Sequence, residues 1–475
     1  MTSINVRRSG LVSFAVRLSS TITGLVFVVL VTSNLSTADF GLWQLISKTV
    51  GYVIFPVVIL TFWTTRYRAR GTKLGKTVFV ASLLFSVVLT FVYLLVSLAV
   101  VGSVTPRAGP TSNLFFFLIS TPQIALYLVA LTLEGILWGS RPEGASVGFG
   151  VFEISKVFLG WFTVGVLRLS LTGAILTIIL AQVCQIITVL VLTRGEYSDK
   201  VSFSMISTML KTGWVAVLNN LQPLVVTFDF LIVAIISGST IPLAFYGAAY
   251  TLAGVITYSG FLSTGLYAGI LSGRDPNTHT AQVLELQYLF IFPMVIGEII
   301  LARPLLNLLN PSYTSGVPIL IILSIGAALL SIGQTFDSVI LGTDTTDAQK
   351  ESNFSIFLKS KMFLLSKINL GISIGYLASV ALISEFVAPG RAQGFGLSWF
   401  TLLGVGWAAA YLGMGVFGIS LKVGYVRKVA RITMPPQTLL ALFVGSIAFV
   451  AVLYPVSRII IPKGGELLQA GYLLL

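Results

Sequence analysis

The sequence predicts an all-α polytopic membrane protein, and two observations carry that prediction. Hydrophobic residues make up 56% of the 475-residue chain and charged residues only 9%, against about 25% charged residues in an ordinary soluble domain. Apolar runs of the roughly 20 residues that a membrane-spanning helix needs recur along the chain. The chain therefore has too little polar surface to coat a water-soluble globule of this size.

Thirteen apolar runs are long enough to cross a bilayer. They lie at residues 10–32, 40–64, 77–101, 113–138, 146–167, 169–193, 209–236, 241–270, 284–303, 317–341, 362–386, 395–419 and 435–459. Residues 466–475 look like the opening of a fourteenth helix that is too short to cross. The first run is too long for the hydrophobic region of a signal peptide and no cleavage site follows it, so we expect this helix to remain in the protein.

The basic residues predict the orientation. Most of the 29 Lys and Arg residues fall in alternate connecting segments, which share one side of the membrane if the helices alternate in direction. Cytoplasmic segments are enriched in Lys and Arg, so the N-terminus and the basic segment 66–76 are expected in the cytoplasm of a plasma-membrane protein. Anionic lipids of the inner leaflet account for the net charge of +13, and no nucleic-acid partner is needed.

Residues typical of enzyme and metal sites are scarce in this sequence. The single cysteine, Cys184, excludes a disulfide framework and a cysteine-ligated metal site. The single histidine, His279, follows a polar turn and is interpreted as a solvated loop residue. The connecting loops are short, and no glycine-rich phosphate loop followed by Lys and Ser or Thr occurs. We therefore expect no enzyme activity, no cofactor and no metal, and a membrane glycan enzyme is the least favoured alternative.

A weak internal repeat relates the two halves of the chain. The segment ADFGLW (38–43) enters the second predicted helix, and LAFYGA (243–248) enters the eighth. Six helices separate the two segments, and because this number is even, the halves would be parallel rather than inverted repeats. The alternative is that small and aromatic residues commonly begin a membrane helix.

Five segments carry a resemblance to a known family. LSTADFGLWQLI (35–46) resembles the turn between the first two helices of Wzx/RfbX-type polysaccharide flippases, which belong to the multidrug/oligosaccharidyl-lipid/polysaccharide exporter superfamily. The resemblance continues at DFLI (229–232), at SGS (237–239) with YGAAY (246–250), and at NPSY (310–313). It covers most of the chain up to about the tenth helix and fades after it.

This resemblance implies an architecture. Two six-helix lobes, residues 1–200 and 201–420, would form a MATE-like, V-shaped arrangement around a central cavity that opens to alternate sides. The chain departs from the family pattern in residues 421–475, where we expect a thirteenth helix and the opening of a fourteenth, which is either truncated or an interfacial segment. The total of about 12 to 14 helices matches the apolar runs.

Two cations in the first helical hairpin are the candidate substrate-binding residues. A charge at the bilayer centre costs about 2.5 to 3.5 kcal/mol on insertion scales, so Arg17 and Lys48 need a reason to be there. Together they would form a two-step path for an anionic head group, one step near each leaflet. Alternatively, Arg17 balances Glu134 and Glu153. Lys48 has no acid at matching depth in the first lobe, and its alternative is to extend to the outer surface.

The remaining charges within the spans are candidates for coupling or for structural pairing. In the first lobe, Glu153 and Lys156 are three residues apart, so they share a helix face and are expected to pair, while Glu134 lies near the inner end of the fourth helix. In the second lobe, acids lie in apolar helices, where burial suits a carboxylate for proton or sodium coupling; these are Asp229, Glu298 and Asp337. Helix capping and cation pairing, with Arg303 near Glu298, are the alternatives.

These features predict a secondary transporter that flips a lipid-linked oligosaccharide or polyprenyl-phosphate glycan from the inner to the outer leaflet. Cations compensate the desolvation of the phosphate while the lipid tail stays in the bilayer. The alternative is a MATE-like, ion-coupled exporter of small organic solutes. The expected partners are the lipid-linked glycan, membrane lipids and glycan-assembly glycosyltransferases. Basic segments 350–367 and 422–431 either rest on the inner leaflet or dock such enzymes.

Overall fold

The structure is a computed structural model that describes residues 6–69, 71–104, 110–211, 213–263, 266, 270, 275–343, 361–387, 398–427, 444–452 and 454–455. All regular secondary structure in these ranges is helical. Ten of these helices are long and apolar enough to cross a membrane, or eleven if one bent pair counts as a single span. The predicted all-α polytopic membrane fold is confirmed.

Contacts divide the chain into two compact units, Met1–Ala244 and Phe245–Leu475. The helices of the first unit are α1 Val6–Asn34, α2 Thr37–Ile54, α3 Val57–Ala69, α4 Gly75–Val104, α5 Pro110–Ser120, α6 Pro122–Ser140, α7 Pro142–Gly160, α8 Ser170–Thr193, α9 Phe203–Lys211, α10 Trp214–Thr227 and α11 Asp229–Ser237. A π-helical turn, Trp161–Val166, extends α7.

The second unit begins within helix α12, Ile241–Thr257. Its other long helices are α13 Pro276–Leu309, α14 Val317–Gly342, α15 Lys361–Phe386 and α16 Trp399–Val426. Residues 444–452, inside the predicted thirteenth run, are also helical. The predicted segment 466–475 lies outside the described residues.

One predicted span is bent, and a second is divided among several helices. The run 40–64 becomes α2 and α3, which are bent by 53° beside Pro56, since proline has no N–H to donate to the helix. The run 209–236 becomes the end of α9 with α10 and α11, and α10 contains Pro223 and ends at Phe228. Apolar content predicts that a segment is in the membrane but not the direction of its axis, so neither break follows from hydropathy.

The beginning of α2 packs against the turn that precedes α12. A Cβ atom on Gly41 would lie 2.0 Å from the carbonyl oxygen of Thr240. This is too close for any residue with a side chain, so the packing requires glycine here. The Thr240 hydroxyl donates to the carbonyl oxygen of Ala38 at 3.2 Å. The first helical hairpin is thereby held against the 238–240 turn, and α2 contacts α11, which leads into that turn.

Candidate functional site

A cavity of about 450 Å³ lies between α2 and α10 in the first unit. Its volume is within the range of roughly 300 to 1,000 Å³ that small-molecule sites occupy. The bend between α2 and α3 shapes one end, because Phe55 and Val58 flank Pro56. The lining residues are Ser47, Lys48, Gly51, Phe55, Val58, Asn220, Pro223, Leu224 and Thr227. We call this space the Lys48 cavity.

At the wall of the Lys48 cavity, the Lys48 ammonium lies beside an aromatic ring and near a carboxylate. Its Nζ atom is 4.7 Å from the centre of the Phe230 ring. The carboxylate of Asp229, whose residue is 3% exposed, is close enough to attract it electrostatically. Both contacts offset part of the cost of placing this amine among apolar groups. The sequence alone did not predict an acidic neighbour for Lys48, because Asp229 lies far along the chain, on α11.

Tyr52 fixes the position of this wall. Its hydroxyl donates to the carbonyl oxygen of Thr227, and its ring stacks on Phe228 with centroids 4.7 Å apart. These contacts attach α2 to the junction between α10 and α11. Lys48 lies one helical turn before Tyr52 on the same face of α2, so the junction also determines where its ammonium stands. Tyr52 was not recognisable as a positioning residue from the sequence.

A second, smaller cavity of about 120 Å³ lies among α2, α6 and α8. Ser47 lines both this space and the Lys48 cavity. The other polar or aromatic lining residues are Trp43, Gln123 and Tyr127, and isoleucines such as Ile175 complete the wall. We call this space the Gln123 cavity.

Glu153 and Lys156 form the ion pair that their spacing predicts. Lys156 Nζ lies 2.7 Å from Glu153 Oε1, and the Thr23 hydroxyl donates to Glu153 Oε2 at 3.0 Å. The ammonium also lies 5.4 Å from the Phe27 ring centre and 5.3 Å from that of Phe152. The Glu153 carboxylate therefore has a counter-charge from its own helix.

Glu134 and Arg17 differ in how much the structure describes of them. Glu134 is 7% exposed, and its Oε1 atom accepts a hydrogen bond of 2.7 Å from Gln185 Nε2. Arg17 belongs to α1, but its side chain lies outside the described residues. Whether Arg17 faces a cavity or balances acids stays a prediction.

The acids of the second unit have separate partners. Glu298 Oε2 accepts a hydrogen bond of 2.6 Å from the Ser324 hydroxyl, and among the ion pairs of the described residues none joins it to Arg303. Asp337 Oδ1 lies 2.7 Å from Lys422 Nζ. The interpretation of Lys422 as part of a surface amphipathic segment was wrong, because α16 continues past it and buries it. The other end of that segment, residues 428–431, lies outside the described residues.

The described part of the chain contains no cluster of potential metal ligands. No group of three or more His, Cys, Asp or Glu side chains there could hold a metal ion. The site is thus built from one lysine, one aspartate, aromatic rings and two adjoining cavities. Such a site can bind, balance charge and release a ligand.

Neither family models nor curated proteins match this sequence. Solved structures do. The lipid II flippase MurJ in an inward closed conformation has a TM-score of 0.65 at 14% identity, with 96% of this chain and 100% of that chain covered.

Two further solved structures are similar. An inward-facing MATE multidrug resistance transporter of the MOP superfamily has a TM-score of 0.59 at 14% identity, with 88% and 98% covered. A MOP superfamily transporter from Pyrococcus furiosus has a TM-score of 0.52 at 16% identity, with 89% and 94% covered. At these identities the likeness establishes the fold: this multi-pass membrane protein has the fold that MurJ and the MATE transporters of the MOP superfamily share.

Proposed function

We propose that the protein is a secondary transporter that flips an anionic, lipid-linked glycan from the inner to the outer leaflet, and that it is not an enzyme. The observation that carries the proposal is Lys48, which lines a cavity of about 450 Å³ between membrane-spanning segments. A lysine in this position suits the phosphate or diphosphate of a polyprenyl-linked glycan. The polyprenyl tail would stay in the surrounding lipid.

The chemistry of Lys48 explains why an anionic ligand is favoured. A phosphate that leaves water loses its hydration, and a charge-assisted contact of about 1.5 to 3 kcal/mol offsets part of that cost. Asp229 lies near the ammonium, so it would balance the charge when no ligand is bound. A cationic solute would be repelled by the same ammonium.

The solved neighbours are consistent with transport rather than catalysis. MurJ is described as a lipid II flippase and the second neighbour as a multidrug resistance transporter. Their shared fold supports a transporter in general. The choice of a lipid-linked glycan rests on Lys48 and on the resemblance to Wzx/RfbX-type flippases, and the partners would be membrane lipids and the glycosyltransferases that assemble the glycan.

Transport in proteoliposomes tests this function. The purified protein is reconstituted with a fluorescent polyprenyl-diphosphate oligosaccharide, and outward movement is followed by quenching from one side. We expect Lys48→Ala to reduce the rate more than tenfold and Lys48→Arg to retain part of it, since phosphate needs the positive charge more than the ammonium shape. Lys211→Ala, at an exposed position at the end of α9, is the matched control and should behave as wild type.

Two outcomes would contradict the proposal. Full transport in Lys48→Ala would remove Lys48 from the substrate path. Movement of a cationic organic dye driven by a proton or sodium gradient, without movement of the glycan lipid, would assign the protein to the small-solute exporters instead.

Arg17 is proposed as a second cation on the same path. If it binds substrate, Arg17→Ala and the double variant Arg17→Ala with Glu134→Gln should both fold normally and lose transport. Glu134 is chosen because Glu153 already pairs with Lys156. If it only balances the acids, Arg17→Ala should lower the protein level and the double variant should restore it. Rescue of this kind would leave Lys48 as the only candidate cation of the hairpin.

A further inference from the structure

The Gln123 cavity presents hydrogen-bonding groups without described partners. Gln123 is 6% exposed and lines the cavity, yet no described residue forms a hydrogen bond with its side-chain amide. The same holds for the Ser47 hydroxyl on α2. The amide opens onto the cavity, so a ligand hydroxyl can replace water there, and one such neutral hydrogen bond contributes about 0.5 to 1.5 kcal/mol.

Aromatic and aliphatic surfaces complete this cavity. Trp43 is held by ring contacts with Phe27 at 6.2 Å and Phe40 at 5.6 Å between centroids, and Tyr127 of α6 lines the same space. Rings of this kind stack on the apolar face of a flat or chair-shaped ligand. Because Trp43 is fixed by its neighbours, little side-chain freedom is lost when a ligand binds.

The lining carries no charged side chain. Glu153 is close enough to act on Tyr127, but Lys156 neutralises that carboxylate at 2.7 Å. A neutral ligand with hydroxyl groups is therefore favoured over an ion. The volume of about 120 Å³ is near the roughly 150 Å³ of an engineered cavity that holds benzene, so the cavity has room for no more than one six-membered ring.

The two cavities meet at one residue. Ser47 lines both of them, and the adjacent Lys48 faces only the larger one. In a helix, neighbouring residues point about 100° apart, so Ser47 borders both cavities while Lys48 places its charge in only one of them. A ligand bound at both would have its anionic group and its neutral ring joined at about the position of Ser47.

We propose that the Gln123 cavity is a sugar subsite, which holds one neutral pyranose ring of the substrate while its phosphate is bound beside Lys48. The inference rests on the proposed function and specifies its substrate: a lipid phosphate that bears an uncharged sugar close to the phosphate. Gln123 and Ser47 bond the ring hydroxyls, and Trp43 and Tyr127 contact its C–H faces.

Binding of free glycosides tests the subsite without transport. The intact protein, purified in a detergent without a sugar head group, is titrated with methyl glycosides of glucose, galactose and N-acetylglucosamine, and thermal unfolding is recorded. At least one glycoside should raise the melting temperature. Gln123→Met should weaken its apparent affinity about fivefold to tenfold, the effect of one neutral hydrogen bond. Gln282→Met, at an exposed position of α13 outside both cavities, should leave the affinity unchanged. If no glycoside shifts the melting temperature, the cavity holds only water and the subsite is refuted.

Transport of two lipids separates this inference from the proposed function. Polyprenyl phosphate with one hexose and polyprenyl phosphate without sugar are compared in the same vesicles. Gln123→Met should slow only the hexose-bearing lipid, and Lys48→Ala should slow both. Equal effects of Gln123→Met on both lipids would overturn the subsite and leave the flippase intact. Glycoside binding that depends on Gln123, without movement of either lipid by wild type, would overturn the flippase and retain the subsite.

Discussion

Lys422 Nζ of α16 lies 2.7 Å from Oδ1 and 2.9 Å from Oδ2 of Asp337 in α14. The two helices pack along their length, and both residues belong to the second unit. Lys422 is 8% exposed, so its side chain is buried within a membrane-spanning helix, where the carboxylate of the adjacent helix is its partner.

Removal of one partner should destabilise the second unit. Lys422→Met leaves the Asp337 carboxylate without its counter-charge, and breaking a buried pair in this way costs about 3 to 5 kcal/mol. The cost should be at the lower end, because the Asp337 side chain is 24% exposed. Thermal unfolding in detergent measures it. The double variant Lys422→Met with Asp337→Leu should recover most of the loss, and an unchanged melting temperature in Lys422→Met alone would contradict the pairing.

Gly41 should not tolerate a side chain. In Gly41→Ala the new methyl group meets the Thr240 carbonyl oxygen at 2.0 Å, so the beginning of α2 and the 238–240 turn must separate, at a cost of about 1 to 3 kcal/mol or more. Gly24→Ala is the control, since its Cβ would have nothing within 4 Å and alanine favours a helix. Thermal unfolding should show a loss for Gly41→Ala and none for Gly24→Ala; equal stability of the two would refute the close packing.

Asp199 should stabilise the start of α4 in a pH-dependent way. Burial raises the pKa of its carboxyl, but hydrogen bonds from the backbone N–H groups of Lys76 and Thr77 and from the Thr77 hydroxyl outweigh burial and lower the pKa below its usual value. Because the folded pKa is depressed, the stabilisation is present above the unfolded pKa of about 3.9 and is lost as pH falls through the folded pKa.

Thermal unfolding of Asp199→Asn measures this effect. At pH 7 the variant should be less stable by about 1 kcal/mol or less, as for other lost helix caps, and the difference should shrink as pH falls below about 4. Lys76→Ala keeps the backbone N–H and should match wild type. A difference that stays constant down to pH 3 would show that the carboxylate charge is not involved.

Asp229 should link transport to an ion gradient. It is buried beside Lys48, and Asp229→Asn keeps its shape while removing its charge. Proteoliposomes with imposed proton or sodium gradients should show gradient-stimulated flipping in wild type and little stimulation in the variant. Glu298→Gln is compared in parallel because the Glu298 carboxylate accepts a hydrogen bond from a serine, whereas Asp337 of the same unit pairs with a lysine. Unchanged stimulation in both single variants and in their combination would exclude carboxylate coupling at these positions.

The segment after α3 should face the cytoplasm. In a variant without Cys184, a cysteine introduced at Thr72 should resist a membrane-impermeant thiol reagent in intact cells and react after the membrane is opened. The physical basis is the surplus of Lys and Arg on one side of the membrane. Ready labelling in intact cells would reverse the orientation and the proposed direction of transport.

Hydropathy and charge spacing in the sequence determined the fold class and one ion pair of this protein. The apolar runs predicted an all-α membrane fold because a polytopic protein must satisfy its backbone within each span, and the spacing of Glu153 and Lys156 predicted their ion pair because a single helix turn places them together. Such features are local, so a linear pattern contains them.

Contacts between distant segments were decided only by the tertiary structure. Lys48 meets Asp229 and Phe230, and Lys422 meets Asp337, because helices that are remote in sequence pack side by side. The Lys48 cavity likewise depends on the bend beside Pro56 and on the junction that Tyr52 fixes to Thr227. Helix axes and their packing result from the sum of many side-chain contacts, and no periodicity in one segment encodes them.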